Sequence, residues 1–205
     1  MDIHELKARA RESLKGNYKE SIKLFFLYFL VCIGITVVFS IIEENIEING
    51  LLAFILAFIP TLVVYGLYPG FYSFFLKISR NEEVSCKELF KHRNLFLVTI
   101  GTTLMVSIFI FLGTLLFIIP GIIMTLSYSM IYFVILDNPE ISVTEALEKS
   151  KDIMEGHKFD YFVLNLSFVG LYILSYFTLG LLLLWLAPYI MVTTANFYNE
   201  IKEQN

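Results

Sequence analysis

The sequence predicts an all-α integral membrane protein: six transmembrane helices paired as three hairpins, with amphipathic helices on the cytoplasmic side. Three observations carry this. Of 205 residues, 57% are hydrophobic and 17% charged, with mean hydropathy +0.72, against about 45–50% apolar and 25% charged in soluble domains. The run from Leu95 to Leu136 is also too long for one crossing: its roughly 42 residues make about 63 Å of helix, twice a ~30 Å hydrocarbon core. Finally, Lys and Arg cluster in alternate connections. The chain reads as a single membrane domain, 1–205.

The elements follow in order. Residues 1–21 form an amphipathic helix, with Ile3, Leu6, Ala10 and Leu14 on one stripe, Lys7, Arg9, Arg11 and Lys15 on the other faces, and Gly16-Asn17 as the stop. It is either a membrane-surface anchor or a cover packed on the protein's own spans. Because this leader is long, helix-patterned and partly acidic, the first span reads as retained rather than as a cleaved signal. Spans one and two run from about 22 to 42 and 51 to 76, with Pro60 inside the second. Between them Glu43-Glu44-Asn45-Ile46-Glu47 reads as a solvated acidic loop, with a cation patch as the sharper alternative.

An interfacial helix is expected at about 84–92, headed by the capping-box pattern Ser85-Cys86-Lys87-Glu88. Spans three and four (about 95–119 and 121–136) meet at Pro120-Gly121, since Pro lacks the N–H of a helix interior and Gly turns cheaply. A capped helix follows at 143–155: Ser142 is its N-cap, Glu145 completes the box, Glu145 pairs with Lys149, and Gly156 closes it. Spans five and six (about 160–177 and 181–199) are divided at Thr178-Leu179-Gly180, and Pro188 lies in the sixth.

Six Lys and Arg precede span one, five separate spans two and three, three separate four and five, and one follows span six. The other three connections carry none, so both termini face the cytoplasm. The chain also reads as three similar units. Pro60, Pro120 and Pro188 mark the returning spans, and Tyr68 and Tyr72 follow Pro60 at the offsets of Tyr128 and Tyr132 after Pro120.

Chemistry is sparse. Every Asp, Glu, Lys and Arg falls in a connection or at a span end, which lowers proton-coupled transport and intramembrane hydrolysis as readings. No catalytic, phosphate-loop or zinc motif is present, the histidines lack ligand spacing, and Cys32 and Cys86 read as free thiols. No basic, aromatic-interleaved patch fits nucleic acid. The neutral polar residues within the spans read first as interhelical hydrogen bonding, and otherwise as a polar lining. Tyr128, Tyr132, Asn165, Ser167 and Asn196 are the candidates for that lining.

Ile119-Pro120-Gly121-Ile122, Asp137-Asn138-Pro139, Glu145-Ala146-Leu147, Met154-x-Gly156-His157-Lys158, Thr178-Leu179-Gly180 and Trp185-Leu186-x-Pro188-Tyr189 resemble a bacterial integral-membrane family catalogued as domain of unknown function 975. More distantly, the second half is similar to the membrane portion of some glycerophosphodiester phosphodiesterases, without catalytic residues. The resemblance implies a bacterial inner-membrane location and several spans. The expectation is therefore a protein without catalysis or cofactor, a scaffold, accessory or lipid-associated module whose partners are membrane lipids and a protein or a second copy. The alternative is a transporter or resistance factor for a small amphiphile or peptide.

Overall fold

The computed structural model describes residues 2–45 and 50–204. Helix dominates, and no strand occurs among the described residues. Five helical stretches are long and apolar enough to cross a membrane: Tyr18–Ile42, Phe58–Ser79, Cys86–Leu116, Ile118–Asp137 and Lys158–Phe177. Residues 46–49 of the acidic loop, with their cation-patch alternative, lie outside the described residues.

Helix α1 (Ile3–Leu14) starts where Asp2 caps the backbone of His4 and stops before Gly16, whose φ of +90° a side chain would resist. Leu6, Ala10 and Leu14 are completely buried, so its apolar stripe packs on the protein. Helix α2 (Tyr18–Asn45) has no fully buried residue from Phe25 to Ile42 among those described. It pairs with α3 (Gly50–Gly66), which holds Pro60.

Span two is not one helix. Pro69 lacks an N–H and its ring crowds the carbonyl four residues back, so α3 ends at Gly66 and α4 (Tyr68–Ser79) begins with Pro69 in its first turn. The expected capping box at Ser85 also fails: Ser85 caps Lys87, while the Glu88 carboxylate turns inward to Lys77, 2.9 Å away. Two short 3₁₀ turns, Cys86–Phe90 and Arg93–Leu95, replace the interfacial helix. Gly70 admits this segment against α4, where a Cβ would stand 2.2 Å from the Leu89 carbonyl oxygen.

Helices α5 (Phe96–Leu116) and α6 (Ile118–Ser127) form the next hairpin, turning at Phe117 rather than at Pro120-Gly121. Proline's missing N–H is harmless in a first helical turn, where donors have no intrahelical partner, so the helix starts upstream and Pro120 sits in that turn. Gly121 serves packing instead. A Cβ there would meet Thr114 Oγ1 at 2.2 Å, and one on Gly113 would stand 3.3 Å from the Gly121 Cα.

After a break at Tyr128-Ser129-Met130 comes α7 (Ile131–Asp137), then α8 (Val143–Ile153). The α8 capping box is complete, with Ser142 and Glu145 bonded reciprocally, and Gly156 follows at φ +80°. The expected Glu145–Lys149 pair is absent among the described contacts. Glu145 is held by Ser142, and Lys149 Nζ donates to Asn138 Oδ1 at 2.8 Å. Helices α9 (Lys158–Leu166) and α10 (Val169–Phe177) are separated at Ser167-Phe168. Ser129 and Ser167 each donate their hydroxyl to the carbonyl three residues back, competing with the helical ladder at both breaks.

The turn at Thr178-Leu179-Gly180 leads to α11 (Leu183–Gln204), with Leu179 and Gly180 at positive φ. Seven consecutive α11 residues, Val192 to Tyr198, are buried, so protein covers all faces of that stretch, while Leu183, Leu184 and Trp185 in the first turn are exposed. The main core joins them to Leu6, Ala10 and Leu14 of α1, Phe71, Phe74 and Phe75 of α4, and Phe133 of α7. Cys32 and Cys86 are free thiols.

Candidate functional site

Aspartate 137 ends α7 and organises the charged end of the bundle. Its side chain is 9% exposed and accepts from both terminal nitrogens of Arg80 at 3.0 Å, Lys202 Nζ at 2.6 Å and Tyr198 Oη at 2.9 Å. Arg80 also donates to Asn199 Oδ1 from two nitrogens, at 3.2 and 3.1 Å, and Asn199 Nδ2 donates to Ser79 Oγ at 3.0 Å. One carboxylate thus ties the ends of α4, α7 and α11. Charge-assisted and bidentate, these are the stronger class of hydrogen bond.

Beside this node, a cleft of about 820 Å³ opens between α1, the end of α4 and α11. Helix α1 contributes Arg9, Glu12 and Ser13; the α4 end contributes Ser79, Arg80 and Asn81; and α11 contributes Asn196, Asn199, Lys202 and Glu203. Helix α1 forms a wall because its stripe is buried against α11 and because Arg9 pairs with Glu200. Lys7 donates to the Ser167 carbonyl at 3.3 Å and lies 4.2 Å from the Phe168 ring centroid. Burial, then repulsion from Arg11, holds the Lys7 ammonium below the usual lysine range. The carbonyl it reaches sits at the α9–α10 break.

Of the sequence candidates, only Asn196 lines this cleft. It is 6% exposed, and its Nδ2 has no hydrogen-bond partner among the described residues. Tyr132 lies elsewhere, 3.1 Å from Thr103 Oγ1 and packed ring to ring with Tyr68 and Tyr72 at 5.1 and 4.7 Å. Tyr128 stacks on Phe109. Asn165 and Ser167 are exposed at the α9–α10 break, and Asn165 Nδ2 donates to the Tyr161 carbonyl. The five residues therefore occupy three places, not one lining. Arg80 and Lys202 read in the sequence as ordinary end-of-span charges and Arg9 as one of several on the polar face of the N-terminal helix, and nothing local joins positions 9, 80, 137 and 202. The recurrence of Asn-x-x-Asn along Asn196 and Asn199 was the available signal.

Among the described residues, no His, Cys, Asp and Glu group is arranged to hold a metal. His92 meets Ser73 Oγ at 2.9 Å, whereas His157 neighbours Asp160. The site can hydrogen-bond and carry charge of both signs.

Several long apolar helices whose surfaces are exposed, joined by polar ends, define a multi-pass helical membrane protein. A family model described as protein of unknown function, DUF975, matches residues 1–127 and 114–205, so the chain belongs to that family. No curated protein and no solved structure matches it.

Proposed function

We propose that the protein is a six-span protein of the bacterial cytoplasmic membrane, with both termini and the polar helices on the cytoplasmic side, working without catalysis as a lipid-associated scaffold or accessory module. The observation that carries this is the Asp137 node with the adjoining Arg9–Glu200 pair. The Lys and Arg count assigns the N-terminus, the span two–three connection, the end of span four and the C-terminus to one side, and those four segments meet in this region. Helix α11 serves as the sixth span. Less apolar than the other five, it is surrounded by protein from Val192 to Tyr198, so Thr193, Thr194 and Asn196 face neighbouring helices rather than lipid chains.

An internal repeat fits the same picture, because the Tyr68/Tyr72 and Tyr132 positions, equivalent by their offsets from proline, pack together. The scatter of the predicted polar lining over three places favours the scaffold over a transporter. The distant likeness to phosphodiesterase membrane portions brings no catalytic residues. Partners on this reading are lipids together with a protein or a second copy.

Cysteine labelling tests the topology: a cysteine at Glu44 in a Cys32→Ser, Cys86→Ser background reacts with an impermeant maleimide from outside intact cells. Labelling only after the cytoplasm is opened would overturn it. Native mass spectrometry after mild extraction tests the module reading, which expects retained lipid or protein; saturable solute flux in proteoliposomes would replace it with transport.

A further inference from the structure

The three hairpins do not offer the bilayer the same thickness. In the first, Leu24 to Ile42 separate Lys23 from Glu43, and these roughly 19 residues make about 29 Å of helix. That matches a ~30 Å hydrocarbon core.

The third hairpin is much shorter. Lys7 of α1 donates to the Ser167 carbonyl at 3.3 Å, and Arg11, exposed on the same helix, stands 5.4 Å from the Tyr189 ring centroid. One cation thus meets each arm of the α10–α11 hairpin. Phe168 and Tyr189 pack edge to face at 5.6 Å, which puts both contacts at one depth. From Ser167 to Thr178 is roughly 11 residues and from Tyr189 back to Gly180 roughly nine, so the arms rise only about 14–16 Å beyond the cations. Lys and Arg keep their charged heads in water or among headgroups. About half of a normal hydrocarbon core therefore separates that level from the turn.

The turn has headgroup chemistry of its own. Tyr176 and Trp185 are 82% and 52% exposed beside it, and such rings, apolar with one polar edge, gather at the membrane–water boundary. Every N–H from Thr178 to Leu186 finds an acceptor within the turn or its flanking helices, so the turn can lie shallow without water around its donors. The second hairpin repeats the spacing. Ser150 of α8, flanked by exposed Lys149 and Lys151, donates to the Ser127 carbonyl at 3.1 Å, and α6 runs from there only to Ile118, about 15 Å.

We infer that the protein thins the bilayer on the side of its second and third hairpins, bringing the two headgroup layers to about half their usual separation there, while the first hairpin crosses at full thickness. The lipid-facing surfaces of α6 and α10 fit acyl chains that are short or bent aside. This rests on the six-span reading, since a turn that never reached the outside would thin nothing.

Single cysteines in a Cys32→Ser, Cys86→Ser background test it along one arm, with an impermeant maleimide applied to intact cells and to inside-out vesicles. All three positions are exposed in the fold: Ser167, Ile173 and Leu179. Ser167→Cys should react from the cytoplasmic face and Leu179→Cys from outside, each at least about tenfold faster than Ile173→Cys, which lies in hydrocarbon between them. Protection of Ser167→Cys on both faces, with Leu179→Cys labelled from outside, overturns the thinning and leaves the six-span reading standing. Protection of Leu179→Cys on both faces, with Ser167→Cys labelled from the cytoplasm, means that the hairpin turns inside the bilayer, and overturns both. The cysteine at Glu44 reports the orientation separately.

Discussion

The α5–α6 hairpin and α11 are built on opposite plans. The hairpin is the more hydrophobic, yet Leu115, Leu116, Phe117, Ile118 and Ile119 are each at least 70% exposed. Helix α11 carries Thr193, Thr194, Asn196 and Asn199, and it lies at the centre. The difference teaches that hydrophobicity does not rank burial here. When the surroundings are hydrocarbon, exposing Leu costs nothing, and polar groups are the ones that gain from protein partners. The hairpin is held by backbone approach at Gly113 and Gly121, and α11 by side chains and charge.

Truncation probes the contrast most strongly. Phe197→Ala, at 1% exposure, should destabilise by about 3–5 kcal/mol, whereas Phe111→Ala, at 65%, should stay within about 0.5 kcal/mol in denaturant titrations in detergent. Equal effects would mean that α11 is not the core. Next comes Asp137→Asn, expected to cost about 2–3 kcal/mol. It strips Arg80 and Lys202 of their shared anion, though both are partly solvated and the loss falls below that of a fully buried pair. Asp137→Leu with Arg80→Met should recover most of the stability.

Gly121→Leu should cost about 1–3 kcal/mol by forcing the hairpin apart, and Thr114→Ala should relieve part of it. The smallest effect lies on α8. Ser142→Ala should cost about 1 kcal/mol. Hydrogen bonds from the Ser142 side chain and backbone hold the Glu145 carboxyl below the usual carboxylate range. A depressed folded value means this contribution is present above the unfolded carboxyl value and lost as pH falls through the folded one. A pH titration of stability should show a larger acid-side loss in the wild type than in Glu145→Gln.

Much of the fold was readable locally. The Ser142–Glu145 box, the stops at Gly16 and Gly156, and the Thr178-Leu179-Gly180 turn all depend on residues within a few positions of each other. Pro69 carried the signal for the α3–α4 break, outweighed by the continuity of the apolar run. The Ser85 box failed because Lys77, eleven residues upstream of Glu88, offered the carboxylate a charged partner in place of a backbone donor. At the site, Asn196 was legible as a polar residue in an apolar span. Its place in one cleft with Arg9 and Arg80 was not, since those residues lie on three separate elements.

By itself the sequence determined the class and those ends that a local signal marks, at Gly16, Ser142, Gly156 and Thr178-Leu179-Gly180. Apolar run length, proline, glycine and caps act within one or two turns of helix, and any chain carrying them must respond. The tertiary structure decided which helix lies inside, where the α5–α6 turn falls and which charges meet at Asp137. Those outcomes depend on surfaces brought together from distant parts of the chain, and an ion pair spanning 65 residues leaves no periodicity to read.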